Sequence, residues 1–130
     1  MKLSVFGLGY VGCVSAACFA QEGHEVVGVD VSSVKVEIIN NGQSPIVESG
    51  IGELIGEMVA ERRLRATTAS AEAIRDTEIS LVCVGTPSNP NGSLDLTYIK
   101  RVCKEVSTNI DGRHWHVVCK ISHFVPPSLG

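Results

Sequence analysis

The stretch Leu3-Ser4-Val5-Phe6-Gly7-Leu8-Gly9-Tyr10-Val11-Gly12 decides the fold. Leu3 to Phe6 is a short apolar run of strand type, and Gly7, Gly9 and Gly12 follow it immediately. From Tyr10 to about Gln21 the chain is rich in Ala, Val, Cys and Phe. Val11, Val14 and Cys18 recur there at helical spacing, and the small residues Ala16, Ala17 and Ala20 let such a helix lie close to a sheet. Gly23, which tolerates positive φ, ends the helix. Glu25-Val26-Val27-Gly28-Val29 then reads as a second strand, stopping at Asp30. The order is strand, glycine turn, helix, strand.

Each glycine has a physical role in that order. Gly7 permits the tight turn off the strand, Gly9 lacks the Cβ that would keep a pyrophosphate from the backbone, and Gly12 lets the helix pack on the strand. The helix N-terminus adds unpaired N–H groups and partial positive charge, which suit phosphate. A glycine pattern alone is weak evidence. Here it follows a strand, opens a helix, and precedes an acidic residue at the end of the next strand, which points to dinucleotide binding. Asp30 would accept hydrogen bonds from the adenosine ribose hydroxyls and repel the extra phosphate of NADP. No arginine follows in Val31-Ser32-Ser33-Val34 to offset that repulsion, so NAD is favoured. FAD is compatible with the loop alone, and a plain strand-end carboxylate is the bland account of Asp30. The loop also fits the kinase glycine pattern, but no V-A-I-K lysine follows and the next segment is helical.

The alternation continues along the chain. Ser32 or Ser33 caps a helix to about Asn40, with Val34 and Ile38 on one face. A third helix runs from about Gly52 to Arg62, with Leu54, Ile55, Met58 and Val59 as its apolar stripe. Leu64-Arg65-Ala66-Thr67 is a short strand, Ala69 to Arg75 a short helix, and Ile79 to Val84 a strand buried on both faces. Asp95 caps a helix to about Ile110, with Leu96, Ile99, Val102, Cys103, Val106 and Ile110 facing inward. The last strand is roughly Trp115 to Ile121. Strands that are continuous apolar runs alternating with helices imply an α/β fold with a parallel sheet covered on both faces. Right-handed crossovers leave a doubly wound, Rossmann-type sheet of about five strands in the order 3-2-1-4-5. The domain is expected over residues 1–121, with 122–130 as an irregular tail.

Composition bounds the function. The chain has 130 residues, 44% hydrophobic and 19% charged, with 11 basic against 14 acidic residues and a formal charge of −3. That is the profile of one globular domain, and it gives no electrostatic drive toward nucleic acid. No apolar run approaches the ~18 residues of a membrane helix, and the amino-terminal apolar stretch is too short for a signal peptide. Cys13, Cys18, Cys83, Cys103 and Cys119 form no paired spacing and sit in apolar stretches. They read as small buried thiols in a reducing compartment, by default the cytoplasm.

A second candidate site is Val84-Gly85-Thr86-Pro87. Ligands of an open parallel sheet bind outside the carboxyl ends of its strands, where the strand order reverses. Thr86 falls at that crevice and can offer a hydroxyl to the cofactor; the bland account is a turn. Lys35, one turn into the helix after Asp30, is within reach of ribose or phosphate, or is a solvated helix lysine. His114, His116 and His123 lack a carboxylate or cysteine at ligand spacing, so no metal site is expected. Arg62, Arg63 and Arg65 crowd a helix end, where positive charge suits the dipole. No cysteine lies beside a histidine base, so no nucleophile is nominated.

Several segments together resemble the nucleotide-sugar 6-dehydrogenases, which include UDP-glucose and GDP-mannose dehydrogenases. The matching stretches are Ser4 to Gly12, Gly23-His24-Glu25-Val26-Val27-Gly28-Val29-Asp30-Val31, Ser44-Pro45-Ile46-Val47-Glu48, Val82-Cys83-Val84-Gly85-Thr86-Pro87-Ser88 and Asn91-Gly92-Ser93-Leu94-Asp95-Leu96-Thr97-Tyr98-Ile99. The last two are worded more like the GDP-mannose members than the UDP-glucose ones. The resemblance implies an NAD-dependent, two-step, four-electron oxidation of a sugar C6 hydroxyl to a carboxylate. It also implies that Tyr10, Val11, Asp30, Lys35 and Thr86 touch NAD, and Val31 lies beside Asp30 in the matched stretch. The cofactor set is thus Gly7, Gly9, Tyr10, Val11, Gly12, Asp30, Val31, Lys35 and Thr86.

The departures shape the expectation. Family chains are much longer, and their catalytic cysteine, its assisting lysine and asparagine, and the sugar-nucleotide pocket lie beyond residue 130. The sheet is thus incomplete relative to the full family, and no catalytic residue is assigned here. Glu48-Ser49-Gly50 stands where the family has Glu-Pro-Gly, and Ser122 is the nearest counterpart of a cofactor-touching threonine. Two accounts follow: the cofactor-binding portion of a sugar-nucleotide dehydrogenase, inactive alone, or a free-standing NAD-binding sensor or subunit. An uncovered edge at the last strand is expected to promote self-association.

Overall fold

The computed structural model describes residues 1–83, 97–109 and 117–120. The strands are β1 (Lys2–Phe6), β2 (Glu25–Val29), β3 (Leu64–Thr67), β4 (Ile79–Val82) and β5 (Val117–Lys120). The helices are α1 (Tyr10–Gln21), α2 (Ser33–Asn40), α3 (Ile51–Ala60), α4 (Ser70–Asp76) and α5 (Thr97–Asn109). All strand pairs are parallel, in the order β3-β2-β1-β4-β5. This is the doubly wound order read from the sequence. Phe6 pairs with Val29 on one side and Val82 on the other, so the three central strands end level. Gly7, Asp30 and Cys83 therefore share one edge of the sheet.

Successive side chains of a strand point to opposite faces. Leu3, Val5, Val26, Leu64, Ala66 and Leu81 pack on one face with buried residues of α1, α2 and α3. Phe6, Val27, Val29 and Val82 pack on the other with Ala73 and Ile74 of α4 and Val102 and Val106 of α5. That second face also buries three hydroxyls. Ser4 Oγ and Ser80 Oγ lie 2.7 Å apart, and Thr77 Oγ1 lies 3.1 Å from Ser4 Oγ while donating to the Ala73 carbonyl at 2.7 Å. Mutual bonding lets these hydroxyls stay buried. Ser70 donates to Glu105 and ties α4 to α5.

Several expected helix faces are corrected. In α1 the buried residues are Gly12, Cys13, Ala16, Ala17 and Ala20, whereas Cys18 is exposed and Val11 and Val14 are half-buried. The sheet contact is made by the small side, which allows close approach. In α2 Val36 and Ile39 are buried, while Val34 is 63% exposed. In α3 the fully buried residues are Ile51, Ile55 and Met58, with Leu54 and Val59 at the margin. Cys103 is exposed although Val102 and Val106 of the same helix are buried. The cysteines are thus not uniformly buried: Cys13 is, Cys83 is partly so, and Cys18 and Cys103 are not. The expectations for Asp95, Leu96, Ile110, the three later histidines and the 122–130 tail lie outside the described residues.

The chain stops its helices in a repeated way. After α1 and α2 the backbone turns through Gly23 (φ 104°) and Gly42 (φ 78°). In each case two backbone N–H groups return to carbonyls of the last turn: Gly23 and His24 to Ala20 and Phe19, Gly42 and Gln43 to Ile39 and Ile38. This is the left-handed helix stop that glycine favours.

Strand β3 ends the sheet order on one side, and Asn40 at the end of α2 covers it. Its Nδ2 donates to the Ala66 carbonyl and its Oδ1 accepts from the Ala66 N–H, both at 2.9 Å. The amide thus replaces a neighbouring strand on that edge. Asn40→Ala is expected to cost about 1–2 kcal/mol, read as a lower urea midpoint at unchanged slope. A midpoint equal to wild type would contradict this role.

Candidate functional site: the glycine loop and Asp30

The turn off β1 is held from two sides. Gly7, at φ 98°, donates its N–H to the Val29 carbonyl at 2.8 Å. The next N–H, of Leu8, donates to Asp30 Oδ2 at 2.8 Å, and Ser32 N–H donates to Asp30 Oδ1 at 2.9 Å. One carboxylate thus joins the loop after β1 to the segment after β2. Leu8 is fully buried, and its side chain fills the space over Gly28: a Cβ there would lie 2.8 Å from Leu8 Cδ2.

Gly9 and Gly12 are needed for opposite reasons. A Cβ on Gly9 would meet nothing within 4 Å, so the backbone there faces open space. A Cβ on Gly12 would lie 1.6 Å from the Gly7 carbonyl oxygen, so only glycine lets α1 start this close to the turn. The first helical bond of α1 runs from Cys13 N–H to the Gly9 carbonyl at 2.9 Å. Tyr10, Val11 and Gly12 therefore direct N–H groups with no acceptor inside the helix. No acidic side chain occupies the first turn of α1. The arrangement offers backbone donors and a positive helix end beside an open glycine, which can hold a pyrophosphate.

The surrounding side chains fall as follows. Ser32 Oγ accepts from Lys35 N–H at 3.3 Å and caps α2, so the cap read from sequence is Ser32. The Cys13 thiol, under the loop, donates to the Leu8 carbonyl at 3.3 Å. Burial pushes that thiol up to about 11, with the Lys35 ammonium opposing and the Asp30 carboxylate adding to the shift. Lys35 lies in the first turn of α2, beyond the Ser32 cap. Val31 is 79% exposed and flanks Asp30 on the solvent side. Tyr10 is exposed at the helix start. The Glu48 carboxylate beside it holds the phenol above its ordinary value of 10.0, through its hydrogen-bonding influence first, then its charge, then desolvation. Val11 is half-buried. Thr86 and Ser122 lie outside the described residues.

Two features near the site have no local signature in the sequence. Glu48 stands in a stretch matched to the family, but nothing local connects it to Tyr10. A small cleft of ≈ 80 Å³ on the other side of Asp30 is lined by Val31, Thr68, Ser70 and Arg101, among others. Thr68 and Ser70 come from the β3–α4 segment and Arg101 from α5, and only the packing of the second face brings them beside Val31. Among the described residues no group of His, Cys, Asp and Glu is arranged to hold a metal ion, and no helix is long and apolar enough to cross a membrane.

Comparison with known proteins agrees with this geometry. The model of the UDP-glucose/GDP-mannose dehydrogenase family, NAD binding domain, matches residues 1–128. The chain is 58% identical over 106 residues to the GDP-mannose 6-dehydrogenase of Pseudomonas syringae pv. syringae, covering 82% of this chain and 24% of that protein. It is 40% identical over 111 residues to the UDP-glucose 6-dehydrogenase TuaD of Bacillus subtilis, covering 85% of this chain and 24% of that one. Its fold superimposes with a TM-score of 0.88 and 47% identity on a crystallised ternary complex of GDP-mannose dehydrogenase from Pseudomonas aeruginosa, over 99% of this chain and 30% of that one. The chain thus spans about a quarter to a third of the length of these relatives. With an open glycine loop, a clamped strand-end carboxylate and this match along nearly all of its length, the chain belongs to the UDP-glucose/GDP-mannose dehydrogenase family, carries that family's NAD-binding domain, and has NAD as its cofactor.

Proposed function

We propose that this chain is the cofactor-holding part of an NAD-dependent nucleotide-sugar 6-dehydrogenase, with GDP-mannose as the sugar nucleotide and GDP-mannuronate as the product. The observation that carries the site is Asp30, whose two oxygens fix Leu8 and Ser32 beside the open backbone of Gly9. In this reading the pyrophosphate rests on Gly9, Tyr10, Val11 and Gly12, with Gly7 making the turn. Asp30 and Val31 meet the adenosine ribose, Lys35 supplies positive charge nearby, and Thr86 contributes from the end of the fourth strand. Bound NAD accepts hydride; the chain's own residues bind and orient it. The choice of GDP-mannose is supported by the higher identity to that relative than to the UDP-glucose enzyme. Cys13 and Cys18, which form no disulfide among the described residues, support a reducing, cytoplasmic setting.

The direct test is calorimetric titration with NAD, followed by an NADH-absorbance assay with GDP-mannose and UDP-glucose. NAD binding without turnover of either sugar nucleotide by the 130-residue chain is expected; the absence of NAD affinity would refute the site. In the longer protein, turnover of UDP-glucose in preference to GDP-mannose would overturn the substrate assignment.

Two substitutions sharpen the test. Asp30→Asn replaces an acceptor oxygen by an N–H donor that faces a backbone N–H. Losing one hydrogen bond to a charged group costs about 1.5–3 kcal/mol, so NAD affinity should fall roughly tenfold to a hundredfold. NADP should lose less, because the repelling charge is gone; equal losses for both would contradict the assigned role. The second concerns pH. In a Tyr98→Phe background, tyrosinate absorbance should report a Tyr10 midpoint above 10.0, since the negative Glu48 opposes loss of the phenol proton. Glu48→Gln should lower that midpoint. A midpoint unmoved by the substitution would show that the two side chains do not interact.

A further inference from the structure

The end of the sheet opposite the glycine loop carries a second concavity. It is a cleft of ≈ 460 Å³ at the amino ends of β1, β2 and β3, lined by the five cations Lys2, Arg62, Arg63, Arg65 and Arg75 against the two carboxylates Glu25 and Asp76. Its volume falls within the range of small-molecule sites, ~300–1,000 Å³. Three of the cations have partners on the chain: Lys2 with Glu25 at 3.8 Å, Arg63 with Glu61 at 3.8 Å, and Arg65 with Glu72 and Asp76 at 3.1 and 2.9 Å. Arg62 and Arg75 make no ion pair among the described residues. Among the described residues, two guanidinium groups are thus left without an ion-pair partner in a cleft where positive charge outnumbers negative.

The backbone at Arg62 is the independent observation. Helix α3 ends with the same stop as α1 and α2: Arg62 N–H returns to the Val59 carbonyl at 3.1 Å and Arg63 N–H to the Met58 carbonyl at 2.9 Å. The left-handed position is Gly23 after α1 and Gly42 after α2. After α3 it is Arg62, at φ 61°, the one non-glycine residue with positive φ among the described residues. A side chain with a Cβ is disfavoured there relative to glycine. Local folding therefore prefers glycine at a position where the chain keeps an arginine on the rim of a basic cleft. Strain of this kind, held where a ligand could use it, motivates a functional reading.

We propose that this cleft binds a small phosphorylated anion, with Arg62 and Arg75 as its principal ligands. Guanidinium groups match phosphate oxygens in forked, charge-assisted pairs, and the carboxyl ends of α3 and α4 place the two arginines in the lining of one cleft. The site lies on the order of 15 Å from the glycine loop, the length of a five-residue strand, and does not depend on the cofactor assignment.

The test uses the 130-residue chain with inorganic pyrophosphate as probe, against chloride at equal ionic strength. Thermal midpoints are read with and without saturating NAD, because NAD occupies the other phosphate seat. Arg62→Gly should raise the midpoint of the anion-free chain, since glycine suits the left-handed stop. The NAD-saturated wild type should still gain stability from pyrophosphate, and Arg62→Gly and Arg75→Gln should each weaken that response at least tenfold in apparent affinity. NAD affinity by calorimetry should be unchanged in both variants. A pyrophosphate response that persists in both variants, or that NAD abolishes in the wild type, would overturn the site. An Arg62→Gly midpoint below wild type would overturn the argument from strain. A failure of NAD binding would count against the glycine-loop reading alone, because the variants are compared without NAD as well.

Discussion

A single carboxylate organises the carboxyl edge of the sheet. Asp30 accepts from Leu8 on the loop after β1 and from Ser32 at the start of α2. The loop shape, the approach of α2 and the position of Lys35 all follow from that pair of bonds. They are available only because Phe6 and Val29 end level in the ladder. A register slip by one residue would turn every side chain of β2 to the other face and carry Asp30 away from the loop. The buried ladder of Val26, Val27 and Val29 keeps the register, and so positions the carboxylate.

Close packing does the rest. Gly12 permits α1 to start against Gly7, Gly28 makes room for Leu8, and the small side of α1 lies flat on β1 and β2. Each of these places a backbone or a small side chain where a larger one would push the helix outward and lift its N–H groups away from the loop. The open space at Gly9 is what remains after that packing is complete. The two ends of the sheet therefore differ in how they carry positive charge: backbone N–H groups at the carboxyl end, guanidinium groups at the amino end.

Much of this was legible in the sequence because local signals agreed with one another. The boundaries of β2 and β3 were read as they occur, since Gly23 and Asp30 bracket one and the polar Arg62-Arg63 pair precedes the other. The sheet order followed from strand–helix alternation and right-handed crossovers. In α1 the small residues Ala16, Ala17 and Ala20 mark the side that meets the sheet, and they are buried there, whereas Cys18, spaced with Val11 and Val14, is left exposed because close approach selects the small side. The face of α2 is not decided locally. In the short α2, Val34 and Ile38 compete on equal terms with Val36 and Ile39, and only the position of β3 decides between them. Glu48 beside Tyr10, Asn40 on Ala66 and Arg101 near Asp30 join residues far apart in the chain, which no local pattern encodes. The left-handed Arg62 was invisible because arginine has no propensity that announces it.

The central claim is that NAD lies along the carboxyl edge, from the α1 N-terminus to Asp30. Amide chemical-shift mapping of the 130-residue chain during NAD titration tests it most directly. The account predicts saturable shifts concentrated at Leu8 to Cys13 and at Asp30 to Ser32, with the amides of Lys2, Glu25 and Arg65 unmoved. Shifts centred on the amino ends of the strands, or none at Gly9 and Val11, would contradict it.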